Sequence, residues 1–479
     1  MTLTSSTAVS PLALARQLLA ILHKDQGRLK RIDDYVQGEH DDPYMPANCD
    51  EEYRLLAERS ISNWMRLLLN TPAQAMYVDS VRRSDRQLAI GEVLPEWRHW
   101  QRSGLDARQL AVHKGALKFG HSFTLTEKTV KGVKTKGLSA MRSAALFEDP
   151  ANDSTPYVAL TVTAWARDNK PGQARMFDDT YEYAVTFGAL GDADSVRVLS
   201  RRRHGASENP VTRFAAEVDL EGRTTGVVEP MIALQNRLNQ TVFDLLVLQT
   251  YQSHQVRTVT GMAPPVKRDS ETGEVELDAS GNPIPLPINH NARRFLFAED
   301  PDVKFGSLEA TSLDGLIASI DMSVRHLAAL SQTPPHHLLG EIANLSAEAL
   351  EAAETALLRK VQEFRNSFGE SWERVFRLAA ELEGDAPSEV DDYSVEVLWR
   401  DMEMKSLAQS ADGLGKLSQQ LGIPPRGLWN RVPGVTQTEV NEWERIAEED
   451  DSERQLAQSI RRATPDTSDT APARQPVAA

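Results

Sequence analysis

A chain of 479 residues exceeds the length over which a single hydrophobic core keeps growing, so two or more structural units are expected. With 41% hydrophobic and 25% charged residues it is neither disordered overall nor built like a membrane protein, and no apolar run approaches the roughly 20 residues needed to span a bilayer. A formal charge of −16 argues against a surface that grips nucleic acid all over, and a single cysteine, Cys49, excludes an internal disulfide and every multi-cysteine metal site. The acidity has two readings, plain solubility or a wall that repels DNA and lets it slide. Arg201 to Arg203 and the pair Arg293 and Arg294 are local basic exceptions that could meet phosphate or an acidic partner.

Residues 10–38 predict a helix ending near Gly38; its apolar stretch Leu12 to Leu22 is broken by Arg16 and Gln17 and reads as amphipathic, not as a secretion signal. After a Pro-rich loop at 42–48, Glu51 to Leu69 has helical period and Pro72 is expected to stop it. Val78 to Ile90 reads as short strands and Pro95 to Phe119 as one helix. The segments near Ser122 to Thr126, Tyr157 to Arg167, Thr180 to Phe187 and Arg213 to Val218 have the β-branched and aromatic content of strands. Glu229 to His254 returns to helix with Pro230 in its tolerated first turn, and 256–310 reads as a turn-rich module of short strands. Leu313 to Ser331 is helical. A break at Pro334-Pro335-His336-His337 precedes a long helix from Ser346, with apolar residues at Leu350, Leu357, Val361, Phe364, Phe368, Trp372, Val375 and Ala379 and an exit at Gly384. Val390 to Trp399 alternates as a strand, residues from Met404 are helical around turns at Gly422 and Pro433-Gly434, and the segment beyond Ala463 has too little apolar content to fold alone. The class is α+β with an elongated helical insertion.

Signatures of catalysis are lacking. Gly413-Leu414-Gly415-Lys416 has neither the spacing nor the hydroxyl of a phosphate loop, and no nucleophile elbow or H-E-x-x-H occurs. His336 and His337, being adjacent, are expected to diverge, with no carboxylate pair nearby at ligand spacing, so no metal and no cofactor are expected. Asp41-Asp42, Asp149 to Asp153 and Asp391-Asp392 are paired acids of the kind that could hold a cation, but most such pairs sit in turns and cap helices, and these read as turn and cap residues. The tryptophans, Trp429 included, read as packing residues.

Several blocks in order carry a resemblance. Tyr35-Val36-Gln37-Gly38 with Glu39-His40, then Asn63, Asn70 and Val78-Asp79, then Pro95 to Phe123 through Trp100, Leu105, Gly115 and Gly120, open the pattern. Glu229-Pro230 to Gly261 with Asn236, Asn239 and Asp244 continues it, as do the run from Gly340 through Asn344 and Ser346 and the Phe368-Gly369-Glu370-Ser371-Trp372 block. Val397 to Lys405 and Ala411 to Gly434 complete it. Over residues 15–450 the chain resembles tailed-bacteriophage portal proteins, of the SPP1 portal-like family and the actinobacteriophage type.

The resemblance implies a portal fold with a mixed α/β wing, a helical stem hairpin, a small β-rich clip and an α-helical crown. Its expected parts are the wing at 1–228, stem helices at 229–254 and 311–331 around the clip at 255–310, and the tunnel loop at 332–345. Residues 346–402 would be the long helix and strand returning to the wing, 403–463 the crown and 464–479 a disordered tail. It implies a non-enzymatic homo-oligomer, a closed ring of twelve, at the unique capsid vertex of a virion made in the host bacterial cytoplasm, without membrane contact. Double-stranded DNA would pass through without sequence specificity during packaging and ejection. Terminase large subunit, head-tail adaptor, major capsid and scaffold proteins would be partners. His336, His337 and Asn344 are then the channel candidates, and Lys267, Arg268, Arg293 and Arg294 the clip docking candidates. The rival readings are another virion or minor head protein without a DNA channel, and a hydrolase using scattered Asp and His.

Overall fold

The structure is a computed structural model that describes residues 10–47, 49–83, 93–168, 170–253, 257–260, 266–269, 272–278, 281–284, 304–307, 312–340, 347–385, 393–400, 407–432, 434–435, 439–440 and 442–451. Helix α1 (Pro11–Gln37) begins at Ser10, whose hydroxyl accepts from the Ala13 amide, and ends at Gly38 in the left-handed region. The Tyr35 to His40 block makes that exit: His40 stacks on Tyr35 with ring centroids 4.7 Å apart, and its Nε2 lies 2.9 Å from the Tyr35 carbonyl.

The single helix expected over 51–69 is two, α2 (Glu51–Ser60) and α3 (Met65–Gln74), and Pro72 lies inside the second instead of stopping the first. Between them Ile61 is extended, the Ser62 amide donates to Asn239 Oδ1 at 3.4 Å, and the Trp64 amide donates to Gln235 Oε1 at 3.2 Å. Side chains from far along the chain thus take amides that a continuous helix would have used. Strand β1 (Val78–Arg83) follows; the rest of the strand region expected up to Ile90 lies outside the described residues. Pro95 to Phe119 is likewise two helices, α4 (Pro95–Ser103) and α5 (Leu105–Phe119), because Gly104 between them takes φ 65°.

Eight strands come next: β2 (His121–Thr129), β3 (Gly132–Leu138), β4 (Ser143–Leu146), β5 (Val158–Ala164), β6 (Gly172–Phe177), β7 (Tyr181–Phe187), β8 (Arg197–Arg203) and β9 (Val211–Ala215). Four of them, β2, β5, β7 and β9, match the strand segments read from sequence. β3 and β8 escape that reading because Lys and Arg occupy their solvent face; β8 is an outer strand exposed along most of its length, where charge discourages further pairing. Short strands β10 (Glu217–Val218) and β11 (Thr224–Thr225) pair with each other. A 3-10 turn at Glu229–Met231 leads into α6 (Ile232–Ser253). Strands β12 (Arg257–Thr260) and β13 (Lys304–Ser307) pair antiparallel ahead of α7 (Asp314–Ser331) and the short α8 (Pro335–Leu339). The long helix is α9 (Ala347–Glu383), ending at Gly384 with φ 88°. Then come β14 (Val395–Trp399), α10 (Leu407–Leu421), a 3-10 turn at Pro425–Arg431 and helical residues 442–451. No helix among the described residues is long and apolar enough to cross a membrane.

The chain divides into two compact units. The first comprises Met1–His40, Asn63–Gln235 and His326–Ala479. Its five-stranded antiparallel sheet, in the order β4-β5-β6-β7-β8, is covered by α1 through Ala15, Leu18, Leu19 and Leu22 against Leu160, Met176, Val185 and Phe187. Its three-stranded sheet, in the order β3-β2-β9, packs on α5 and α9, and Phe123, Leu125, Ala159, Phe177 and Val211 join the two sheets. The second unit comprises Asp41–Ser62 and Asn236–Arg325, with Leu56 and Ala57 of α2 packed on Phe243 of α6 and Tyr53 against Phe243 and Tyr251.

At the centre of the first unit the indole N–H of Trp372 donates to His113 Nε2 at 2.9 Å, while His113 Nδ1 lies 3.1 Å from the Met76 carbonyl. The proton therefore sits on Nδ1, since a second one on Nε2 would face the indole N–H. Burial pushes His113 down to about 4, and burial, helped by the Arg102 charge, does the same to His99. Both rings have folded pKa values below their unfolded ones, so the unfolded chain binds the extra protons. Stability is accordingly full above about pH 6.5 and falls towards pH 4, by at most about 1.4 kcal/mol per pH unit for each ring. Thermal melting followed between about pH 7.5 and 4.5 should show a fall that His113→Gln, whatever its cost at neutral pH, makes shallower; an equal slope in both proteins would contradict the assignment.

Candidate functional site

The segment between α7 and α9 begins with a helix end of the Schellman type: the Thr333 amide donates to the Ala328 carbonyl at 3.0 Å and the Gln332 amide to Ala329 at 3.3 Å. Gln332 holds φ 54°, a left-handed conformation that a non-glycine residue adopts only at a cost. Pro334 is extended and Pro335 occupies the first position of α8, where its missing N–H matters least. The segment read as a break therefore contains a helical turn, closed by Gly340 at φ 71° with its amide on the His336 carbonyl.

The expectation that His336 and His337 diverge is overturned. Their rings lie 4.5 Å apart, and His336 Nε2 and His337 Nε2 approach the same oxygen, Glu354 Oε1, at 2.9 and 2.8 Å. Adjacent residues diverge on a long regular helix, but α8 is one turn, and α9 supplies an acceptor from 17 and 18 residues downstream. Sequence reading missed Glu354 although a signal existed. It falls four after Leu350 and three before Leu357, on the apolar stripe of α9, and a carboxylate there needs polar partners. Asn344, the third channel candidate, lies outside the described residues.

Between β12 and β13 the described residues 266–269, 272–278 and 281–284 form a small meander. The amides of Lys267, Glu276 and Ile284 donate to the carbonyls of Ile284, Lys267 and Glu276 at 2.9 to 3.0 Å, with turns at Gly273 and Gly281 in left-handed conformations. Lys267 pairs with Glu276 at 2.7 Å, and Arg268 donates to the Gly273 carbonyl at 3.2 Å. One of the basic docking candidates thus has its charge balanced inside the module; Arg293 and Arg294 lie outside the described residues. The other basic cluster is engaged within its sheet: Arg202 pairs with Glu182 at 2.7 Å, and Arg201 lies over the Tyr181 ring.

Other acidic and aromatic candidates have structural roles. Asp149 accepts from the amides of Ala151 and Asn152 in a turn. Trp429 packs edge-on against Trp443 with centroids 6.2 Å apart.

The family described as phage portal protein, SPP1 Gp6-like, matches residues 16–456. The chain belongs to this portal family. Its relatives include the protein named portal protein of Mycobacterium phage L5, 29% identical over 410 residues, and that of Mycobacterium phage D29, 26% identical over 407 residues. Each alignment covers 80% of this chain and 78% of the relative. Portal membership accords with an α+β chain in which two helices, α6 and α7, lie in sequence on either side of the β12–β13 strand pair.

Proposed function

We propose that the chain assembles into a closed, twelve-fold ring at one capsid vertex, through which double-stranded DNA enters during packaging and leaves during ejection. The observation that carries this reading is the family match along residues 16–456, and the arrangement of α6, β12, β13 and α7 supports it: a paired strand base between two helices is what a stem and clip require. Exposed apolar side chains support a ring as well. Ile317, Met322 and Leu330 of α7 are each more than half exposed, and Leu245, Leu246 and Leu248 of α6 are only half-buried. Neighbouring subunits in a heterologous, self-closing interface would cover them.

In this reading residues 1–228 and 346–402 form the wing, 229–254 and 311–331 the stem, 255–310 the clip, and 403–463 the crown. The chain acts mechanically in the virion and the packaging motor hydrolyses ATP. The clip docks the terminase large subunit during packaging and the head-tail adaptor afterwards, while major capsid and scaffold proteins hold the wing. The 332–345 segment meets the DNA, with His336, His337 and Asn344 as its contact residues.

Negative-stain microscopy of the purified chain, with light-scattering mass on the same sample, tests the assembly: rings with an axial hole and a mass near twelve subunits are expected, and a monomer that stays monomeric even with its capsid and scaffold proteins would defeat the proposal. Deleting residues 335–343 should leave rings intact and impair packaging or retention of DNA; normal packaging by that variant would remove the channel role. Replacing Arg268, Arg293 and Arg294 with Glu should weaken terminase or adaptor binding and its salt dependence, with unchanged binding counting against the clip as an electrostatic dock.

A further inference from the structure

Glu354 lies on the stripe of α9 that continues into Leu357 and Val361, both nearly inaccessible. A carboxylate in that position loses much of its hydration and needs compensation. Two imidazoles supply it, with their Nε2 atoms aimed at one oxygen, and the three ligand-capable atoms all lie within 4.8 Å of one another. His336 is mostly shielded, with a side chain 13% exposed, whereas that of His337 is 35% exposed, so the cluster has a closed side and an open one.

We propose that His336, His337 and Glu354 form a binding site for a borderline divalent transition-metal ion of the zinc class. Two imidazole nitrogens and one carboxylate oxygen are the donor types zinc, nickel and cobalt accept, while calcium and magnesium require shells built from oxygen. Tetrahedral coordination at bond lengths near 2.0–2.1 Å places ligand atoms about 3.3 Å apart, so the nitrogen-to-oxygen separations of 2.8 and 2.9 Å open by only about 0.5 Å. In the metal-free cluster each imidazole donates its Nε2 proton to Glu354. The ion takes the place of those protons: both rings turn to the tautomer with the proton on Nδ1, bind through the Nε2 lone pair, and no proton is released overall. A water at the open side of His337 completes the shell.

The consequence is a staple. α8 and α9 are joined through residues 341–346, and the ion would fix the Pro335–Leu339 turn to the first turns of α9 by coordination bonds instead of hydrogen bonds. This holds whether or not the ring reading is right, because binding of the ion is measured on the chain itself.

The experiment uses the full chain, free of any affinity tag and stripped with EDTA, titrated with zinc by calorimetry and with cobalt by visible absorption. One ion per chain is expected, with the cobalt complex showing the intense d–d bands of low coordination. His337→Gln keeps a hydrogen-bond donor to Glu354 on a partly exposed side chain and should fold as the parent does. It should weaken zinc binding by about tenfold or more, as should His336→Ala and Glu354→Gln. Zinc should also slow amide exchange in residues 336–340 of the parent and leave it unchanged in His337→Gln. Absence of zinc binding, or binding of equal strength in folded His337→Gln, would overturn the assignment and leave the cluster a pair of hydrogen bonds to a half-buried carboxylate.

Discussion

β9 is an outer strand of its sheet, and an outer strand presents a row of carbonyls to which no neighbouring strand donates. α9 accepts that task. Arg374, Ser371 and Ser367 donate to the carbonyls of Val211, Arg213 and Ala215 at 3.1, 2.9 and 2.8 Å, so helix positions three and four apart serve strand positions two apart. The two rises nearly agree, about 4.5 to 6 Å along the helix against about 6.7 Å along the strand, and the match fixes the register of α9 on the sheet. The Arg374 charge is almost wholly buried, which works against its ionised form, and it is held by Val211, Thr212, Asn209 and Glu208 together. A buried guanidinium tolerates no vacant donor, so the segment around Asn209 is tied to the helix as firmly as the strand is.

With α9 placed, its opposite sides become defined. Phe368 and Trp372 pack on Phe214, Trp100 and His113, and His113 in turn binds the carbonyl of Met76 just ahead of β1. One neutral ring therefore links α9, α5 and the end of α3. The same helix carries Glu354 towards α8 at its start. The position of the segment leading out of α7 is thus set by a helix whose other end is anchored in the sheet, which is how a loop of unusual backbone, with Gln332 in a left-handed conformation, is kept in one geometry.

The second unit is organised differently. It has a small core around Leu56, Ala57 and Phe243, and its three helical segments, from α2, α6 and α7, and its strand pair leave much apolar surface half-covered or exposed. Such surface suits a part that completes itself against copies of the same chain, whereas the first unit buries its aromatic core within one subunit.

Much of the architecture was legible in the sequence because it is carried by local periodicity and chain breakers. α1 with its Gly38 exit, α6, α7 and the long α9 with its Gly384 exit each read directly, and the order of blocks from Tyr35 to Gly434 was enough to indicate the portal family. Tertiary contacts decided the rest. The break at 61–64 depends on Asn239 and Gln235 capturing amides across more than a hundred residues, and β3 and β8 are strands because neighbours accept their ladders in spite of their charge. The convergence of His336, His337 and Glu354 belongs to the same class. Period and spacing express what a segment does with its own backbone, and which side chains meet across an intervening connection is settled only when helices pack.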